Sequence, residues 1–151
     1  MSQEHGLTPV MTAEQVNQLL RAVYPQLNDN PSEYFITGIF PGGCSVRLNA
    51  TARHLRPGGT VSGPSLFTLA DIGGYVCVLS HAGPDALSVT TNLNINFMRK
   101  ADAGAIDGHC RILKLGKSLM VFDIDITAGP EKLLIAHATG TYSIPPKRIS
   151  Q

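Results

Sequence analysis

Tryptophan is absent from this 151-residue chain, aromatic side chains reach only 6%, and charged ones only 15%. So few aromatics leave no stacking platform for nucleic-acid bases. A formal net charge of +1, without any lysine–arginine block, lacks the electrostatic footprint of a nucleic-acid binder. Cysteine is limited to Cys44, Cys77 and Cys110, an odd number, widely spaced and set among apolar or strand-like residues. That pattern fits neither a disulfide framework nor a zinc site, and reads as small buried hydrophobes in a reducing compartment. The N-terminal MSQEHGLTPVMTAEQ has no basic start followed by an apolar run, so no leader is expected. No apolar stretch is expected to approach the length of a bilayer span. The expectation is one soluble, cytoplasmic domain over residues 1–151, large enough to bury its own core, with no metal or cofactor.

What is present is a helix, two strands, a second helix and four more strands. Thr12 and Gln15 form a capping box, and Val16, Leu19, Leu20 and Val23 follow at helical spacing, predicting a short helix over about 12–24. Tyr34–Phe40 is β-rich and Pro41-Gly42-Gly43 is a turn. Val46, Leu48, Ala50 and Ala52 alternate with Ser45, Arg47, Asn49, Thr51 and Arg53, predicting a half-buried strand. Further strands are expected over 88–98, about 105–115 and 120–127. The last strand should place Leu134, Ala136, Ala138, Tyr142 and Ile144 on one side.

Between these strands lies RPGGTVSGPSLFTLADIGGYVCVLSHAG, residues 56–83. Ser62-Gly63-Pro64 supplies a cap and a proline in the first helical turn, and Gly83-Pro84 closes the far end. From Pro64 to Pro84, Asp71 is the one residue drawn from Asp, Glu, Lys and Arg, and every side of the helix is apolar. Such a helix is expected in a core. An ionised carboxylate there is costly unless something pairs with it or uses it. One antiparallel sheet with so few other elements buries its inner face by wrapping around this helix, an α+β architecture, and leaves an outer face and edges for a second copy.

At this point the sequence resembles the hotdog-fold acyl-CoA thioesterases of the phenylacetate-pathway (PaaI-like) type. Arg56, Gly58-Gly59, Ser62-Gly63-Pro64 and Leu66 through Asp71 match the family's asparagine, glycine-rich turn, His-Gly-Gly and LxxLAD helix. VTTNLNINFMRKA matches its next strand, and LGKSLMVFDIDI with LLIAHATGTYSI its closing hairpin. The likeness covers roughly residues 34 to 144. It implies a hotdog fold, an acyl-CoA substrate, a homodimer or homotetramer, and a thioester hydrolase in which Asp71 is base or nucleophile and the Gly63 N–H polarises the carbonyl. The chemistry agrees, because a helix N-terminus suits a developing oxyanion and glycine permits close approach.

The chain departs from the family at three positions: Arg56 stands for asparagine, Ser62 for histidine and Pro64 for the second glycine. Ser62 is then expected to hydrogen-bond a water or the thioester region, and the Ser65 N–H to supplement Gly63. Tyr75, one turn after Asp71, and Asn92, on a polar strand face, are candidate substrate contacts. Arg99, Lys100, Lys114 and Lys117 at strand ends are candidates for the phosphates of CoA. Two alternatives follow from the same residues. One is an acyl-CoA-binding protein without turnover. The other is a hotdog dehydratase, for which the central helix offers His81 alone, at its very end.

Overall fold

The computed structural model describes residues 7–25, 33–84 and 87–146; the opening residues of the stretch read for a leader lie outside them. Helix α1 spans Ala13–Val23, strands β1 and β2 Tyr34–Phe40 and Gly43–Ala50, and helix α2 Gly63–Ala82. Strands β3 (Val89–Phe97), β4 (Gly104–Leu115), β5 (Leu119–Ala128) and β6 (Leu133–Ser143) follow. The strands form one antiparallel sheet in the order β1-β2-β4-β5-β6-β3. With α2 laid along one face, this is the expected α+β hotdog architecture.

The core lies between α2 and the sheet. Phe122, Leu69, Val76, Leu79, Val46, Leu48, Ile106 and Ile124 are all fully buried there. Burying one such side chain is worth about 1.5–3 kcal/mol. The helix comes close because Gly73 and Gly74 carry no side chain. A Cβ on Gly73 would stand 2.7 Å from the Ile124 methyl, and one on Gly74 would run into the Phe122 ring. The three cysteines are free, buried and mutually adjacent, with Cys77 Sγ 3.5 Å from Cys44 Sγ and 3.3 Å from Cys110 Sγ.

α1 is positioned from its start. Thr12 Oγ1 accepts from the Gln15 N–H at 3.2 Å, while the Thr12 N–H donates to Gln15 Oε1 at 2.9 Å. Just before it, the Val10 N–H donates to the Ser80 carbonyl at 2.6 Å, tying the segment to the end of α2. Eleven residues then rise about 16 Å, with Val16 and Leu20 buried. This brings Tyr24 to the middle of α2, where its ring meets Tyr75 edge-on at 6.2 Å.

Four sequence expectations need correction. The strand read as far as Arg53 ends at Ala50, and Ala52–His54 is a 3₁₀ turn. Its geometry is held by His54, whose Nδ1 accepts the Thr51 N–H at 2.9 Å. Leu134 is exposed rather than inward, because the β5–β6 register shifts after Ile126 and hands the buried position to Ile135. A bulge of this kind reverses the alternation on one side of it. α2 is long and apolar enough by composition to cross a membrane, at a mean hydropathy of 1.2, contrary to the expectation that no stretch approaches that length. Here it is a core helix. It is not buried on every side, however: Pro64, Phe67 and Thr68 are exposed and Asp71 is half-buried. One face of its first two turns is open.

Candidate active site

That open face carries Asp71. The Thr90 hydroxyl donates to Asp71 Oδ1 at 2.6 Å, and the Tyr142 hydroxyl donates to the same oxygen at 2.8 Å and to the Asp71 carbonyl at 2.9 Å. Burial, and after it the carboxylate beside it, push the Tyr142 phenol far above its usual value of 10.0. The phenol therefore stays protonated and remains a donor. Asp71 Oδ2 has no hydrogen-bond partner among the described residues. The carboxylate is oriented through one oxygen and free through the other. It lines a cleft of about 580 Å³ with Tyr24, Phe67, Tyr75, Ser88, Thr90 and Tyr142. Tyr75 stacks on Tyr142 at 5.9 Å, forming an aromatic wall.

A second cleft, also about 580 Å³, opens at the start of α2, lined by Arg56, Gly63, Leu66, Phe97, Arg99 and Lys100. The sequence dictates which backbone donor faces it. Pro64 has no N–H. The Ser65 N–H donates to Ser62 Oγ at 3.3 Å, and the Leu66 N–H to the Ser62 carbonyl at 3.2 Å. Of the N–H groups that the helix start leaves over, Gly63's is the one without a partner among the described residues. The loop before it is fastened by His54, whose carbonyl accepts the Ser62 N–H at 2.8 Å. The imidazole is buried, with Nε2 2.6 Å from Glu33 Oε1.

Asp71 and Gly63 thus line different clefts of one chain. Eight residues of helix separate them, about 12 Å of rise, too far for both to act on one thioester carbon. Arg56, Arg99 and Lys100 gather beside Gly63, and Tyr75 beside Asp71. The other candidates are placed elsewhere in the chain. Ser62 Oγ and the Ser65 N–H form the helix cap, with the two hydroxyls 2.8 Å apart, so the Ser65 N–H is not a spare donor. Asn92 is exposed on β3 and lines neither cleft. Lys114 and Lys117 stand where β4 turns into β5, beside Leu119. The β5–β6–β3 register pairs Leu119 and Val89 with Ser143 and pairs Phe97 with Ala136, so the two lysines lie at the opposite end of the sheet from Arg99.

His81 belongs to neither cleft. The Gly42 N–H donates to its Nε2 at 3.0 Å, and its Nδ1 lies 2.9 Å from Ser80 Oγ. Burial pulls the imidazole below its ordinary value, which keeps it neutral. It pins the β1–β2 turn to the helix end, about 15 Å along α2 from Asp71, and does not form a dehydratase pair with it. The cysteine trio is the one cluster among the described residues with atoms close enough to share a metal ion. Burial pushes the Cys77 and Cys110 thiols well up, and a protonated thiol packs as an apolar group. Sequence reasoning missed Thr90 and Ser88; it placed Tyr142 in the core, where it lies, but missed its bond to Asp71. An alternation pattern names a face of a strand, and the hydroxyl-to-carboxylate pairing across elements has no local signal.

The Thioesterase superfamily profile matches residues 58–135, just over half of the chain. The fold superposes on a solved structure of a candidate thioesterase from Silicibacter sp. TM1040 with a TM-score of 0.84 and 44% identity, covering 94% of this chain and 97% of that one. A candidate esterase of Pseudomonas aeruginosa is 33% identical over 102 residues, 66% of this chain and 74% of its own. The 1,4-dihydroxy-2-naphthoyl-CoA hydrolase of Listeria monocytogenes is 27% identical over 99 residues, 66% of this chain and 80% of its own. The chain belongs to the thioesterase superfamily on a hotdog fold and is a thioester hydrolase.

Proposed function

We propose that the protein hydrolyses acyl-CoA thioesters at a site completed by a second copy of the chain. The observation that carries this reading is the division of labour between the two clefts. One holds an anion among apolar and aromatic side chains, which suits an acyl group and a general base. The other holds three cations and an unpartnered helix N–H, which suits the phosphates of CoA and a carbonyl oxygen. The edge strand β3 supplies the means of joining them. Thr90, near its start, touches Asp71, and Phe97, at its end, lies where a Cβ on Gly63 would be 3.2 Å away. Two copies of β3 paired antiparallel about a two-fold between Leu93 and Asn94 set Thr90 of one opposite Phe97 of the other. Asp71 of each copy is then brought towards Gly63 of its mate. Phe67, Val89, Phe97 and Met98 are exposed apolar side chains along this edge, a surface that pairing would cover.

In this arrangement Asp71 Oδ2 takes a proton from water as the water oxygen bonds to the thioester carbon. The carbonyl electrons move onto oxygen, held by the second copy's Gly63 N–H. Collapse of the tetrahedral intermediate breaks the carbon–sulfur bond, and the proton passes from Asp71 to the departing CoA thiolate. Thr90 and Tyr142 keep the carboxylate aimed throughout. The departures at Arg56 and Pro64 fit the scheme: Pro64 leaves Gly63 as the single donor, and Arg56 adds a cation to the phosphate side.

Free-thiol release from a panel of acyl-CoAs, measured with wild type and Gly63→Pro, tests the reading. Proline at the first helical position preserves the helix and removes the one N–H. Wild type should turn over at least one member of the panel, and Gly63→Pro should lose about 10²–10³ in kcat while remaining folded. Near wild-type turnover in Gly63→Pro, or a fully active monomer by light scattering, would overturn it. Ligand binding without any thiol release would favour the acyl-CoA-binding alternative instead.

A further inference from the structure

The acid cleft holds one side chain for which the catalytic scheme has no use. Ser88 lines it and is only 5% exposed. Its Oγ is the one buried side-chain polar atom without a hydrogen-bond partner among the described residues. Such groups are rare in native proteins, and each calls for a reason. The neighbouring hydroxyls have theirs, since Thr90 and Tyr142 are both committed to Asp71.

Three further observations bear on what would satisfy Ser88. Ser88 immediately precedes β3 and lines the same cleft as Thr90 and Asp71. A serine side chain has three staggered χ1 positions, and this hydroxyl has no hydrogen bond among the described residues to break in turning towards a ligand. Among the described residues the rest of the lining is apolar or aromatic apart from Thr68, Thr90 and Asp71, and includes no lysine, arginine or histidine. An acyl group carrying its own negative charge would meet the Asp71 carboxylate there with no cation in the described wall of that chain to offset it.

We propose that Ser88 is a specificity-determining residue that pairs with a hydrogen-bonding oxygen on an otherwise apolar, uncharged acyl group. This rests on the reading of the Asp71 cleft as the acyl side of a thioesterase site. The preferred substrates are then acyl-CoAs with a hydroxyl or keto oxygen some way from the thioester. Their unsubstituted counterparts and those ending in a carboxylate are poorer.

The test compares kcat/KM for wild type, Ser88→Ala and Ser88→Thr on matched acyl-CoAs. Each unsubstituted acyl group, straight-chain or aromatic, is set beside versions of the same length carrying one hydroxyl at successive positions, and beside one ending in a carboxylate. In wild type at least one hydroxylated member should exceed its unsubstituted partner by about fivefold or more. Ser88→Ala should bring that ratio towards one, chiefly by loss on the hydroxylated member, and Ser88→Thr, which keeps the hydroxyl, should restore part of it. The same ratio in wild type and Ser88→Ala would overturn the inference, as would faster turnover of the carboxylate-ended members. Absence of thiol release from every member with wild type would sink the hydrolase reading itself, and this inference with it. Release with an unchanged ratio would sink this inference alone.

Discussion

The first two turns of α2 and its later turns are both apolar in sequence yet have different surroundings. From Ile72 to His81 every residue is buried, and the helix presses so closely on the sheet that Gly73 and Gly74 have no room for a side chain. From Gly63 to Asp71 one side is open: Pro64, Phe67 and Thr68 are exposed, and Asp71 looks into a cleft. The later turns spend their apolar character on the core of their own chain. The earlier ones hold theirs for something that arrives, a substrate or a second copy. Hydrophobicity alone cannot tell these two uses apart, because both leave the same residues in the sequence.

The strongest way to break this contrast is Asp71→Asn. Asparagine keeps the shape and removes the base, so hydrolysis should fall by about 10²–10⁴ with the thermal transition unchanged or slightly higher. Thiol release and thermal unfolding on the same preparation measure both. Retained turnover would make Asp71 a structural residue like those deeper in the helix.

Next in size are Thr90→Val and Tyr142→Phe, each of which removes one donor to Asp71 Oδ1. Hydrogen bonds to a charged group are worth about 1.5–3 kcal/mol, so kcat should drop roughly ten- to a hundredfold. The alkaline behaviour sharpens the point. The Tyr142 phenol is raised above its usual 10.0. Stability gained from keeping it protonated is therefore complete below pH 10 and drains away as pH rises beyond. A pH series of unfolding free energies should show that decline in wild type and a smaller one in Tyr142→Phe.

On the buried side of the contrast stands Gly74→Ala, whose added methyl meets the Phe122 ring. Overpacking of this kind costs about 1–3 kcal/mol, or several degrees in Tm for a chain of this length. The smallest effects belong to the cationic cleft. Arg99→Ala or Lys100→Ala should raise KM several-fold at most, since partly exposed charges contribute about 0.2–1 kcal/mol each. The loss should shrink as salt rises and vanish on a pantetheine thioester, which lacks the nucleotide. Equal losses on both substrates would move these residues from binding to assembly.

The sequence made most of the fold legible, for physical reasons that can be named. Alternation in β2 and β3, the capping box of α1 and the Ser62 cap of α2 are local signals, and they place β3 and the two helices within a residue or so and β2 within about three. The bulge that exposes Leu134 depends on the register of a neighbouring strand, which no local window contains. The site was legible in part. Asp71 stands out because a lone carboxylate in an apolar helix is expensive, and Gly63 because it heads the helix. Thr90 and Tyr142 matter through hydrogen bonds to Asp71 across 19 and 71 residues of chain, and Ser88 through the cleft it shares with them; nothing near them in sequence marks this. Lys114 and Lys117, which lie at the opposite end of their own sheet from Arg99, show the converse. A cation at a strand end is visible in the sequence, but the end of the sheet it occupies is not.

The shared site is the central claim, and mixing two disabled chains tests it most directly. Asp71→Asn and Gly63→Pro should each be inactive alone, for different reasons. In a dimer of one with the other, one of the two sites has both its Asp71 and its Gly63 intact. If the copies exchange at random, half the dimers are mixed, and activity should return to roughly a quarter of wild type. If mixed dimers are shown to form and no activity returns, each chain carries its own complete site, and the account of β3 as the joint between two half-sites is wrong.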